Sequence, residues 1–410
     1  MTKLFNTLCL FISLVCNGYT SESQEYSRLC NCINSTNQNI GILVENNQTE
    51  IKQNNSSQKL VRILSLDGGG TRGYAQAKFL ELFCEDTGIS NLGEYFDVVA
   101  GTSVGGINAV GLANGTTPRS MMDFFREKTP WVFTVRSACD IFSNNASYPS
   151  NKPNLLQMLY FGIFTSYPFY KSISKTSNYG DARLRRELTN IFGDRLLTSI
   201  KTKILLTAYN YSEYTPVLFT NTSTNIVPNT FRDVKIVDAL MATTSAPIYF
   251  PSTQMKLSNN PKEPAYNIMD GGLFQNNPSS LAFTTAHMLY PSATKYCILS
   301  IGTGIRHVGL HISSDEQEPS NSPIIQYTNL WDIVMTNSEI DNDILFSAIS
   351  NDKSNISYYR FNFKLDINRD YEMDTSTSEF FDYLDTEVIA KYQEDKDKIK
   401  QFINKLKDVD

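Results

Sequence analysis

Apolar positions along this chain fall into two spacings. Short, nearly unbroken apolar runs occur at VRILSLD (61–67), YFDVVAGTS (95–103), KILLTAY (203–209), NIMD (267–270) and YCILSIG (296–302). Each has the length and β-branched content of a strand buried on both faces. Between them, GYAQAKFLELFCEDTG (73–88) carries its apolar residues at helical spacing and stops at Gly88, and VGGINAVGLANG (104–115) follows the second strand directly. Further helical stretches lie near 119–128, 179–192, 235–245 and 278–289. Strands alternating with helices predict an α/β layer fold with a largely parallel sheet.

The two ends break this rhythm. Residues 1–18 carry one lysine and then an apolar stretch from Leu8 to Val15, the layout of a secretory signal peptide cleaved after Gly18. The stretch is well short of the roughly 20 residues that span a bilayer. An uncleaved anchor and a plain apolar N-terminus stay open. Residues 19–60 are poor in large apolar side chains and rich in Asn, Gln, Ser and Thr, as a disordered linker would be. Beyond 306 come a polar loop (SSDEQEPSNSP), a helical pattern over 323–349, a strand-like YYRFNF, and a charged helix over 387–407. Ile399, Phe402, Ile403 and Leu406 form one stripe of that last helix, so 306–410 reads as a helical C-terminal extension packed on the 61–305 domain.

Composition narrows the classes. The 410 residues are 41% apolar and 19% charged with a net charge of -6, and a nucleic-acid partner, which would need a basic face, is not expected. Of seven cysteines, five would remain after cleavage, namely Cys30, Cys32, Cys84, Cys139 and Cys297. An odd number at irregular spacing makes no disulfide framework, and three scattered histidines make no zinc site. Cys84, Cys139 and Cys297 read as small core residues.

The candidate chemistry sits where strands turn into helices. Ser103 stands in Gly101-x-Ser-x-Gly105 at a strand-to-helix elbow, a position that exposes a serine hydroxyl. The pentapeptide alone arises by chance in about one such chain in ten, so its setting carries most of the weight. DGGGTRG (67–73) places three glycines between a strand and a helix, an anion-binding arrangement. Gly68, Gly70 and Gly73 also match the dinucleotide fingerprint, with Glu94 near the spacing of a ribose-binding acid, and that reading competes. Asp270 ends a short apolar run before Gly271 and Gly272, at a strand's C-terminal edge or simply in an Asp-Gly turn. His287 lies nine residues into a helix, roughly 13 Å from its start, too far to meet Asp270. His307 and His311 follow CILSIGTG and could complete an ordinary Ser-Asp-His triad, so two schemes stay open, a His307 triad and Asp270 acting directly on Ser103.

Taken in order, these segments resemble the patatin-like phospholipases. DGGGTRG is similar to the family's oxyanion motif, GTSVG to its nucleophile elbow and DGG at 270–272 to its third motif. ATTSAPIYFP (242–251), DGGLFQNNPS (270–279) and LSIGTG (299–304) agree as well, so the resemblance spans about 61–305. It implies a three-layer α/β/α fold and lipid acyl hydrolysis by a Ser-Asp dyad without a catalytic histidine or cofactor. Ser103 would be the nucleophile, Asp270 the base, and the N–H groups of Gly69, Gly70 and Gly68 the oxyanion donors. Arg72, Gly73, Gly101, Gly105, Gly271 and Gly272 would support these motifs, Arg72 by steadying the loop or meeting a lipid phosphate.

The expectation is therefore a phospholipase A-type serine hydrolase, exported to the periplasm or medium, acting on membrane or micellar lipid. No metal is implied, since no calcium loop or histidine-rich ligand set occurs. A transacylase, a triacylglycerol or lysophospholipid lipase, and a non-catalytic lipid- or nucleotide-binding module are the rivals. The apolar MLYFGIFTSYPFY (158–170) is either a lid or acyl groove or a core helix.

Overall fold

The computed structural model describes residues 60–134, 177, 179–227, 229–256, 264–305, 323–350, 355–366, 369 and 371–407. The expected signal segment, nearly all of the 19–60 linker, the 158–170 segment, Cys30, Cys32, Cys139, His307 and His311 lie outside them. The elements run β1 (Leu60–Leu66), α1 (Gly73–Thr87), α2 (Leu92–Tyr95), β2 (Val98–Thr102), α3 (Val104–Ala113), α4 (Pro118–Val132) and α5 (Ala182–Phe192). They continue through β3 (Lys203–Asn210), β4 (Thr215–Thr220), β5 (Thr230–Phe231), α6 (Ile236–Thr243), β6 (Thr253–Met255), β7 (Tyr266–Asp270) and α7 (Ser279–Leu289). The chain closes with β8 (Lys295–Ile301), α8 (Pro323–Ile349), β9 (Ile356–Phe361), α9 (Ser378–Glu394) and α10 (Lys396–Leu406).

Local chemistry sets several of these boundaries. Helix α1 ends where Gly88 takes a left-handed φ of 72° and its N–H closes on the Cys84 carbonyl. Helix α4 starts with Thr117, whose side chain accepts the Ser120 N–H, followed by Pro118 in the first turn. Thr377 caps α9 in the same way through the Phe380 N–H.

The strands form one sheet in the order β5-β4-β3-β2-β1-β8-β9, with β7 pairing β3 and β6. Pairings β2-β3, β1-β2, β1-β8 and β8-β9 are parallel, while β3-β4, β3-β7 and β6-β7 are antiparallel. Alternation along each strand divides the core between the two faces. Leu64, Leu66, Val99, Ile204, Leu206 and Leu299 point to the side covered by α1, α3 to α6, α9 and α10. Val61, Ile63, Val98, Ala100, Leu205 and Ile298 point to the other, against Ala282 and Ala286 of α7 and Phe346 of α8. This is the three-layer α/β/α arrangement expected, and residues 58–410 form one compact unit.

One departure has an identifiable cause. The single helix expected over 387–407 is two helices, because Asp395 leaves helical geometry between them and its buried carboxylate pairs with Lys391 at 3.1 Å and Lys398 at 2.9 Å. The strand expected at YYRFNF is β9, which extends the sheet in parallel with β8, and Phe361, Phe380, Phe381, Leu384 and Leu406 belong to the main core. No helix among the described residues is long and apolar enough to cross a membrane.

Candidate active site

Strand register alone brings the two motif carboxyl and hydroxyl residues together. Strand β2 runs parallel to β3 and ends with Thr102 opposite Thr207, while β7 runs antiparallel on the same flank of β3 and ends with Asp270 opposite Ala208. The two strands therefore meet head-on at consecutive β3 residues. Ser103 leaves one strand where Asp270 ends the other. This junction lies at the C-terminal edge of the parallel sheet, beside the end of β1, where open α/β sheets collect their sites.

Ser103 is held in an elbow. Its φ of 54° and ψ of -125° lie outside the ordinary regions for a residue with a side chain, which costs about 1–3 kcal/mol. The surroundings over-determine this geometry. The Ser103 N–H donates to Thr243 Oγ1 at 2.9 Å, and that hydroxyl donates onward to the Thr207 carbonyl at 2.6 Å. Gly101 and Gly105 let the backbone crowd here: a Cβ on Gly101 would strike the Gly105 carbonyl, and one on Gly105 would meet the Leu66 and Asp67 carbonyls.

Asp270 is buried, and its Oδ1 accepts the Gly272 N–H at 2.7 Å in the turn that follows. Gly271 carries the chain against Thr207, leaving no room for a side chain. Burial pushes the Asp270 carboxyl up to about 7, against opposing hydrogen bonding from the Ser103 hydroxyl and the Gly272 N–H. Its Oδ2 is buried with no hydrogen-bond partner among the described residues. A basic, desolvated carboxylate thus faces a strained serine.

The glycine loop forms the adjoining wall. Gly70 has a φ of 61° and abuts the Met373 carbonyl, so only glycine fits. One expected donor is corrected by the structure: the Gly68 N–H is taken by Asn276, through Oδ1 at 3.1 Å and the carbonyl at 3.4 Å. Among the described residues, no acceptor engages the N–H of Gly69 or Gly70, and both residues line the pocket with Ser103 and Asp270. Arg72 turns back onto its own loop, donating to the Gly69 carbonyl at 3.2 Å and the Gly304 carbonyl at 3.5 Å. Gly73 lets α1 pack on Val104, and Asn108 donates to its carbonyl at 3.0 Å.

From these groups a narrow pocket runs between Phe124, Phe125, Phe133, Phe250, Met335 and Met373. Its described walls are apolar apart from the Ser103 end. Such a lining suits an acyl chain with its ester at the polar end.

Other candidates lie elsewhere. His287 Nδ1 sits 3.1 Å from the Tyr296 hydroxyl, and Tyr296 pairs with Val61, some five residues or ~16 Å below the site along the sheet. Glu94 is exposed in α2, before β2 begins, and so lies at the sheet end remote from the glycines; the ribose partner of a dinucleotide fold is not provided. Thr243 and Asn276 carry key contacts that sequence reading did not single out, although both fall in segments it marked as familial. No cluster of three or more His, Cys, Asp or Glu suited to a metal occurs among the described residues.

Comparison with known proteins places this geometry. Residues 64–283, more than half the chain, match the family described as patatin-like phospholipase. The cGAMP-activated phospholipase of Vibrio cholerae serotype O1 is 31% identical over 259 residues, covering 59% of this chain and 64% of that protein. Patatin-like protein 2 of Arabidopsis thaliana is 29% identical over 265 residues, covering 60% of each. The chain thus spans under two thirds of the length of these relatives. Among solved structures, VipD from Legionella pneumophila is similar at 12% identity and a TM-score of 0.40, over 85% of this chain and 67% of that one. With the matched span enclosing the glycine loop, the serine elbow and the Asp-Gly-Gly turn, the chain belongs to the patatin-like phospholipase family.

Proposed function

We propose that this chain is a lipid acyl hydrolase of phospholipase A type, with Ser103 as nucleophile and Asp270 as its base. The observation that carries the reading is the junction of β2 and β7, which sets a strained serine beside a buried carboxylate at the polar end of an apolar cavity. In the first half-reaction Ser103 Oγ attacks the ester carbonyl while its proton passes to Asp270. The charge that develops on the carbonyl oxygen faces the Gly69 and Gly70 N–H groups and the N-terminus of α3. Collapse expels the alcohol, which takes the proton from Asp270, and leaves an acyl-Ser103 ester. Water, deprotonated by Asp270, then repeats the attack and releases the fatty acid.

A carboxylate near the ordinary 3.8 would be a poor acceptor for a serine proton. Burial that lifts Asp270 to about 7 narrows this gap while leaving the group substantially ionised at neutral pH. The relatives named as phospholipases support a phospholipid substrate.

The test is product analysis on phosphatidylcholine and phosphatidylglycerol vesicles with the full chain, Ser103→Ala and Asp270→Asn. Wild-type protein should release free fatty acid and lysophospholipid, and both variants should fall by at least 10³-fold. Hydrolysis retained by Ser103→Ala would sink the proposal, as would acyl transfer to an added alcohol in place of any free acid.

A further inference from the structure

Behind the glycine loop lies a buried ion cluster built mainly by residues past the family match. Asp67, fully buried at the head of the loop, receives Arg360 of β9 in a two-pronged pair, Nη1 to Oδ1 at 3.2 Å and Nη2 to Oδ2 at 2.6 Å. The same guanidinium donates to Ser300 Oγ at 2.9 Å and Glu339 Oε2 of α8 at 3.0 Å, with Asp343 Oδ1 at 3.4 Å from its Nε. Glu339 also accepts from Asn276 Nδ2 and Asn362 Nδ2, both at 3.1 Å. Asn276 Oδ1 in turn holds the Gly68 N–H at 3.1 Å. A continuous chain of polar contacts therefore joins β9 and α8 to two consecutive residues of the loop.

Stability alone is a weak reason for this cluster, because buried ion pairs are often no better than apolar residues of similar size once desolvation has offset their attraction. Burial pushes both Asp67 and Glu339 up, and the Arg360 guanidinium pulls both back toward the ionised form. Without Arg360, the turn would lose the two-pronged contact that fixes Asp67, and Glu339 would lose the guanidinium it shares with that aspartate.

We propose that Arg360 and Glu339 are positioning residues for ester hydrolysis: they fix the Asp67–Gly70 turn, so that the Gly69 and Gly70 N–H groups meet the developing oxyanion. The proposal rests on the hydrolase reading above. It makes residues beyond 305 part of what the active site needs, not an accessory to it. Neither side chain touches substrate, so the effect falls on kcat, where oxyanion stabilisation acts, and leaves KM nearly unchanged.

The experiment measures kcat and KM on p-nitrophenyl butyrate for the full chain, with thermal melts reporting folding. Ser103→Ala serves as the control for the underlying reading: if wild type and Ser103→Ala are equally inactive or equally active, the hydrolase assignment itself fails. Given Ser103-dependent turnover, Arg360→Gln should lose 10²–10³-fold in kcat, comparable to removing an oxyanion donor, with KM within about twofold. Adding Asp67→Asn replaces the ion pair with an amide pair and should restore at least tenfold of the loss in kcat at an unchanged melting temperature, which separates positioning of the loop from loss of stability. Should Arg360→Gln not fold, Arg360→Lys keeps the charge without the two-pronged geometry and should lose about tenfold in kcat. A folded Arg360→Gln or Arg360→Lys with wild-type kcat, or a loss carried by KM, overturns the proposal, as does a double variant no better than Arg360→Gln.

Discussion

At the scale of single residues, Asp270 makes the sharpest claims. In the proposed mechanism its ionised form acts as base, so kcat/KM should rise with pH through about 7 with unit slope and fall off below it; a flat profile between pH 5 and 8 would contradict the assignment. Linkage gives the sign for stability. Because burial raises this carboxyl above its value of 3.8, the fold is penalised as pH climbs from about 4 to 7 and the penalty is constant beyond. Asp270→Asn keeps an oxygen for the Gly272 N–H and removes the buried charge. It should therefore be more stable than wild type at pH 8 by about 4 kcal/mol, an advantage that vanishes near pH 4. Urea unfolding at the two pH values checks this, and an equal or less stable variant at pH 8 would be the contrary result. Ser103, Asp270 and the glycine loop were all legible in the sequence, because each motif is local. The occupation of the Gly68 N–H was not, since its partner Asn276 lies 208 residues away and is positioned only by the turn after β7.

At the scale of elements, the strands of the parallel core were readable because burial on both faces makes them continuously apolar. Strand β4 was missed for the opposite reason: TPVLFT is short, has a proline at its second position and lies near the sheet's edge beyond β3. The break at Asp395 escaped notice because KYQEDKDKIK looks like a solvated helix, whereas a single buried aspartate gathers two lysines. The elbow between β2 and α3 depends on backbone contact, which allows a contrast between two glycines. Gly105→Ala places a Cβ against the Leu66 and Asp67 carbonyls and should destabilise by about 2–3 kcal/mol. Gly115→Ala, at a φ of 87° with nothing within 4 Å, should cost about 1 kcal/mol. Comparable midpoints in urea for the two variants would argue against the tight approach of α3 to the end of β1.

At the scale of the whole molecule, the sheet and core do not stop where recognisable motifs do. Sequence reading placed a domain edge at 305 because the texture of the chain changes there, from alternating strands and helices to polar and charged segments. Packing runs across that edge. Strand β9 pairs with β8 from Tyr296 to Ile301, and Phe361, Phe380, Phe381, Leu384, Val388 and Leu406 fill the same core as Leu66 and Phe79. A chain of residues 58–305 should lack a cooperative thermal transition and bind a hydrophobic dye, while 58–410 melts in one step; a sharp melt of the shorter chain would contradict a shared core. The central claim is that Asp270, with no histidine, activates Ser103. It is tested most directly by the rate at which a fluorophosphonate labels Ser103, read by peptide mass spectrometry, in wild type, Asp270→Asn and His307→Ala. The account predicts label on Ser103, slowed at least 100-fold in a folded Asp270→Asn and unchanged in His307→Ala; normal labelling of Asp270→Asn, or its loss in His307→Ala, would contradict it.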